Sequence, residues 1–138
     1  EVSKKNIVKH DLQNILTQLH GSLLEPAIKK LNSHNLIITA NLPYIKDNDH
    51  WNMDKETVQF EPDLALYWGK NTWFELYETL IWQLSEVKKS NNIQSITLFI
   101  EIGFDPEIYS QEYLNNLWLK FKLHKDKGGI IRCVEINI

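Results

Sequence analysis

Two apolar, β-branched runs constrain this chain more than anything else in it. Leu36-Ile37-Ile38-Thr39 lies within the strand pattern Asn35 to Ala40 and is nearly continuous, the composition of a parallel strand covered on both faces. Ile96-Thr97-Leu98-Phe99-Ile100 is a second buried-strand pattern. Between them Trp73, Leu76, Tyr77, Leu80, Ile81, Leu84 and Val87 fall at steps of three and four, which predicts a long amphipathic helix. Strand, helix and strand in that order call for an α/β sheet.

The flanks extend the pattern. Residues 2 to 12 carry a weak helical periodicity that Asp11 to Asn14 can close, and Ile15-Leu16-Thr17-Gln18-Leu19 reads as a short strand stopped by Gly21. Glu25-Pro26 suits the first turn of a following helix. From Ile45 to Lys70 the periodicity dissolves, which predicts a long loop with a short helix near residues 54 to 59. Asp105-Pro106 supplies an N-cap and first turn for a helix through about residue 117. Leu119 to Leu123 and Ile130 to Ile136 are two strand patterns around Lys125-Asp126-Lys127-Gly128-Gly129. With no room for a helix between them they should pair antiparallel, giving an α/β sheet with an antiparallel edge.

Composition narrows the function classes. At 138 residues, 43% of them hydrophobic and 24% charged, the chain is the size of one globular domain. Fifteen Lys and Arg against eighteen Asp and Glu leave a net charge of -3, which disfavours nucleic acid as the main partner. Cys133 has no second thiol to pair with and reads as a small strand residue. His10, His20, His34, His50 and His124 lack metal-ligand spacing, so no metal is expected. No apolar run approaches the ~18 residues of a membrane span, and a soluble, cytoplasmic protein is the expectation. Trp68, Trp73 and Trp82 could line a substrate groove, but the helical spacing of Trp73 and its neighbours favours core packing, and Trp51 and Trp68 are the better candidates for contact with a protein partner.

In an open α/β sheet ligands bind beyond the carboxyl ends of the strands. Two polar runs stand there: Asn41-Leu42-Pro43-Tyr44 after the first strand, and Glu101-Ile102-Gly103 after the second. Asn and Pro at a strand end also make an ordinary turn, so the tetrapeptide needs support from elsewhere. Its chemistry is nevertheless specific. The lone pair of an amide or aromatic amine is delocalised, and methylation requires it to be turned toward the donor. The Asn41 side-chain oxygen and the Leu42 carbonyl can each accept one N–H of such a group. Pro43 biases Leu42 toward an extended backbone that keeps this carbonyl pointing outward, and Tyr44 can stack on the planar group. Asn41, Pro43 and Tyr44 are thus candidate catalytic residues. Alignment of the nitrogen against a sulfonium methyl needs no activated Ser, Cys or His.

The chain resembles the release-factor glutamine methyltransferases. It carries Asn41-Leu42-Pro43-Tyr44-Ile45, Phe60-Glu61-Pro62, Ala65-Leu66, Gly69, Glu101-Ile102-Gly103, Lys125-Asp126, Gly129 and Arg132 in the order of that family. The resemblance implies a Rossmann-like class I methyltransferase sheet closed by a C-terminal antiparallel hairpin, with S-adenosylmethionine as donor. It implies transfer to the side-chain amide of Gln in the Gly-Gly-Gln loop of peptide-chain release factors. Asn41, Leu42, Pro43 and Tyr44 would bind substrate, and Ser22, Leu23 and Asn41 would contact the donor; Glu61, in a turn that Pro62 stiffens, is either a loop anchor or, with Pro62, part of the substrate site. Ser22 stands where an Asp is usual.

The sequence also departs from the family. Leu42 replaces a Pro, a form shared with ribosomal-RNA adenine dimethyltransferases, although the Glu-Pro, Ala-Leu and Glu-Ile-Gly series is not theirs. No strand, Gly-rich turn and acidic ribose-binding residue precede residue 2. The expectation is that residues 1 to 138 form one partial methyltransferase domain, truncated at the N-terminus and lacking the donor-binding half, with a longer natural chain, dimerisation across exposed sheet edges, or rearrangement covering the gap. Two other functions stay open on the sequence: a nucleic-acid adenine amino-group methyltransferase, and an inactive partner-binding fragment. Lys125, Lys127 and Arg132 read as a solvated hairpin face.

Overall fold

An amphipathic helix and a run of β-branched residues bury themselves most economically against each other, and the computed structural model realises this arrangement. It describes residues 1–43, 59, 60, 62, 66, 75–90, 92–103, 115, 116 and 119–138, which divide into two units, Glu1–Asn32 and Ser33–Ile138.

The second unit holds a four-stranded mixed sheet. Its strands are β1 (Asn35–Ala40), β2 (Ser95–Glu101), β3 (Lys120–Lys125) and β4 (Ile131–Asn137), in the spatial order β1-β2-β4-β3. β1 and β2 run parallel, with Asn35 beside Ser95 and Ala40 beside Ile100. β4 pairs antiparallel with β2, setting Glu101 beside Cys133, and antiparallel with β3. The expected parallel pair with an antiparallel edge is therefore present.

Helix α2 (Glu75–Ser90) lies against β2. Its buried residues Leu76, Tyr77, Leu80, Ile81, Leu84 and Val87 are those the periodicity marked, apart from Trp73, which lies outside the described residues. The inward set of the sheet, Ile96, Leu98, Ile100, Val134 and Ile136, is buried as well. Glu75 and Glu78 in the first turn and Lys88 and Lys89 in the last complement the helix dipole. Trp82 is 64% exposed and so not part of the core that helical spacing favours for the helix tryptophans. It sits one residue past Ile81, off the buried stripe.

β1 does not read as covered on both faces. Its residues alternate between exposed and half-buried, and Ile37 is 76% exposed. A continuous apolar run is thus compatible with one half-buried face here.

The β3–β4 hairpin turns on Asp126. Its Oδ1 accepts from the backbone N–H groups of Gly128 and Ile130, at 2.8 and 3.0 Å, and its carbonyl accepts from Gly129 N. Gly129 has φ +83°, a left-handed conformation in which a side chain would be strained.

In the first unit α1 (Val2–Lys9) ends where expected. Asp11 takes φ 55°, Leu12 N donates to Ile7 O and Asp11 N to Val8 O, a reciprocal closure of the last turn. The strand expected at Ile15–Leu19 is absent. The N–H groups of Ile15 and Leu16 both donate to Leu12 O, so this backbone is spent on a turn rather than a ladder. The helix expected after Glu25-Pro26 is reduced to turns and a short 3₁₀ segment, Ile28–Lys30. The segments expected near 54–59 and 105–117 lie almost wholly outside the described residues.

Candidate active site

Parallel pairing brings the ends of β1 and β2 to one edge of the sheet. With Ala40 opposite Ile100, the next residues in each chain, Asn41 and Glu101, stand side by side. Ile102 N donates to Arg132 O at 3.0 Å, so β4 follows β2 to the same edge. Thr39, Phe99 and Cys133 belong to the face opposite the buried Ile100 and Val134. These residues, with Asn41, Glu101 and Arg132, line a cavity of about 370 Å³.

Asn41 is exposed, and Leu42 and Pro43 are half-buried. Ile102 and Gly103 are buried. Ala40, one residue before Asn41, is the last residue of the ladder, so the Asn follows directly where the strand stops. The two sequence runs singled out above therefore meet in space. Tyr44 and Glu61 lie outside the described residues, and Pro62 is exposed.

Tyr77 joins the two runs and was missed from the sequence. Its ring is fully buried under the sheet, and its hydroxyl donates to the Glu101 carbonyl at 2.9 Å, with the Leu42 carbonyl 3.4 Å away. Helical periodicity counts only the apolar ring, so nothing in the pattern separated Tyr77 from Leu80 or Leu84.

Arg132 is also more than a solvated hairpin face. It lines the cavity, and its Nε lies 3.8 Å from Asp126 Oδ2. Asp126 thus uses one oxygen on the turn and the other on the guanidinium. Burial pushes the Cys133 thiol above its ordinary value despite a backbone hydrogen bond at Ile100, and nearby Glu101 and Glu135 add to the rise. The thiol stays protonated at neutral pH, which makes it a poor nucleophile.

Ser22 and Leu23 belong to the other unit and do not follow a strand end. Ser22 is exposed, and its carbonyl accepts from Glu25 N at 3.1 Å. Leu23 is half-buried with φ 43°, and the Pro26 ring packs where a side chain at Gly21 would go. This tight turn is a different setting from the strand-following loop expected for these residues.

Among known proteins, the class that this chain matches is that of methyltransferases. It is 34% identical over 134 residues to the release factor glutamine methyltransferase of Clostridium botulinum, covering 96% of this chain and 45% of that protein. The corresponding protein of Mycoplasma mycoides is 34% identical over 122 residues, 88% of this chain and 41% of the relative. A bifunctional methyltransferase of Rickettsia bellii is 28% identical over 139 residues, covering all of this chain and 24% of that protein. The resemblance read from the motifs is thus a similarity along nearly the whole chain, which spans less than half the length of the curated relatives it matches. No family model matches the chain, and no solved structure does.

Proposed function

We propose that this chain is the acceptor-side part of a protein-glutamine N-methyltransferase that acts on the Gln of the Gly-Gly-Gln motif in peptide-chain release factors. The observation that carries the reading is the meeting of Asn41-Leu42-Pro43 with Glu101-Ile102-Gly103 at one edge of the sheet, in a chain whose relatives bear that name. On this reading the four strands are the C-terminal part of a Rossmann-like class I methyltransferase sheet, and the Gly-rich donor turn belongs to the remainder of a longer, cytoplasmic protein. Among the described residues no helix is long and apolar enough to cross a membrane.

The amide to be methylated lies against Asn41. Its two N–H groups donate to Asn41 Oδ1 and to Leu42 O, which fixes the plane of the NH2 and leaves the face of the nitrogen open; one of these two protons passes to solvent once the nitrogen carries the methyl. Pro43 holds Leu42 extended, and Tyr44 covers the planar group. Glu61 and Pro62 contact the segment of the release factor around the Gln. Proximity and alignment carry most of the rate. An uncharged amide at Asn41 and a carboxylate at Glu101 are compatible with the positive sulfonium of S-adenosylmethionine. That donor would supply the electrophilic methyl, and Asn41 is the residue of this sheet assigned to it.

The experiment is transfer of labelled methyl by the full-length protein, of which this chain is the acceptor-side part, to a release factor, to RNA and to DNA in parallel. The proposal expects label in the release factor, lost when its Gly-Gly-Gln glutamine is replaced. Label in RNA or DNA alone would establish the adenine reading instead, and absence of any transfer would leave a binding fragment.

A further inference from the structure

We propose that Tyr77 is a positioning residue for the methyl acceptor, its buried hydroxyl setting the Leu42 carbonyl that takes one N–H of the substrate amide. This rests on the glutamine-methyltransferase reading above and adds to it a residue from the helix that neither strand-end run contains.

A phenolic hydroxyl has one proton and sits between two carbonyls here. The 2.9 Å contact to Glu101 O is a full hydrogen bond, whereas 3.4 Å to Leu42 O is too long for a strong one. The proton is therefore committed mainly to Glu101 O. Leu42 O takes the longer, weaker arm of the same shared hydrogen bond, which holds the carbonyl while leaving it acceptor capacity for an incoming N–H.

The hydroxyl cannot drift, because the ring that carries it is 0% exposed and is held on the same helix stripe as Leu80, Ile81 and Leu84. Its bond to Glu101 O fixes it to the end of β2, which is in register with the end of β1. Leu42 is located from the other side by Pro43, which restricts its backbone. The carbonyl is thus bracketed by a rigid ring below and a proline after it. Tyr77→Phe keeps the ring and the packing but removes the oxygen. Glu101 O loses a donor, and the two strand ends lose the group that lies between them.

The test compares kcat and KM for methyl transfer to a release factor in the full-length protein, for wild type, Tyr77→Phe and Leu84→Ala. Leu84→Ala loosens the same helix–sheet packing without touching either carbonyl. Circular dichroism and thermal melts establish that each variant is folded at the assay temperature. Tyr77→Phe should lower kcat about tenfold with KM changed by less than about twofold, since a misplaced acceptor weakens alignment more than it weakens binding. Leu84→Ala should lower the melting temperature more and kcat less. Transfer by Tyr77→Phe within about twofold of wild type would overturn the positioning role and leave the enzyme reading standing. The same result would follow if both variants lost activity only in proportion to their melting temperatures. No transfer by the wild-type protein would overturn the enzyme reading, and this inference with it.

Discussion

On the face of the sheet turned to α2, Ile96, Leu98, Ile100, Val134 and Ile136 are each exposed by 2% or less, whereas on the opposite face Ile37 is 76% exposed and Thr39, Phe99 and Cys133 line an open cavity. The same four strands supply both surfaces, because successive side chains in a strand point to opposite sides. One face holds the unit together. The other, with the strand ends, carries the polar groups that can meet a ligand. A substitution on one side should therefore change stability, and one on the other should change chemistry or nothing, and this separation can be broken experimentally.

The largest effect belongs to the packed face. Leu98→Ala removes a side chain that is fully buried beneath α2, and should cost about 2–5 kcal/mol in a denaturant titration, through lost transfer energy and the cavity left behind. A cost below about 1 kcal/mol would mean that the helix repacks freely and that the two faces differ less than their exposure implies.

A smaller, pH-dependent effect belongs to the open face. Glu135, in register with Phe99 on β2, faces Lys122 and His124 of β3. His124 Nε2 and Glu135 Oε2 are 2.9 Å apart, and this hydrogen bond, aided by the charge of Lys122 and by Asn137, holds the Glu135 carboxyl below its ordinary value. A depressed carboxyl contributes stability that is present above its unfolded value and is lost as pH falls through the folded one. Melting temperature should decline on that acid side, and His124→Ala should flatten the decline. An unchanged acid profile in the variant would show that the contact contributes nothing in solution.

The smallest effect is expected at Ile37. Ile37→Thr on the exposed face should change stability by less than about 0.5 kcal/mol, while a loss near that of Leu98→Ala would show that something covers this face in solution.

Much of this arrangement is legible in the residues themselves. Helix α2 and strands β1, β2 and β4 follow from apolar spacing, and the hairpin turn follows from Asp126 and the two glycines, because in each case local preference and burial agree. Ile15–Leu19 misled because a short apolar run says nothing about whether a neighbouring strand exists to take its hydrogen bonds, and here the backbone turned back on Leu12 instead. The candidate site was half visible. Asn41 follows a strand and Glu101 ends one, so both could be singled out, but their adjacency depends on register, which only the paired sheet supplies. Tyr77 was hidden inside a pattern that explained it completely as core, because its contact with the two strand-end carbonyls depends on atoms brought near by the fold.

The most direct test of the account is the rate of labelled methyl transfer to release-factor glutamine by the full-length protein carrying Asn41→Ala, measured beside its thermal stability. Asn41 is exposed at the end of β1, so the account predicts a rate loss of roughly 100-fold or more with a stability change under about 0.5 kcal/mol. Transfer at the wild-type rate in a folded Asn41→Ala protein would contradict it.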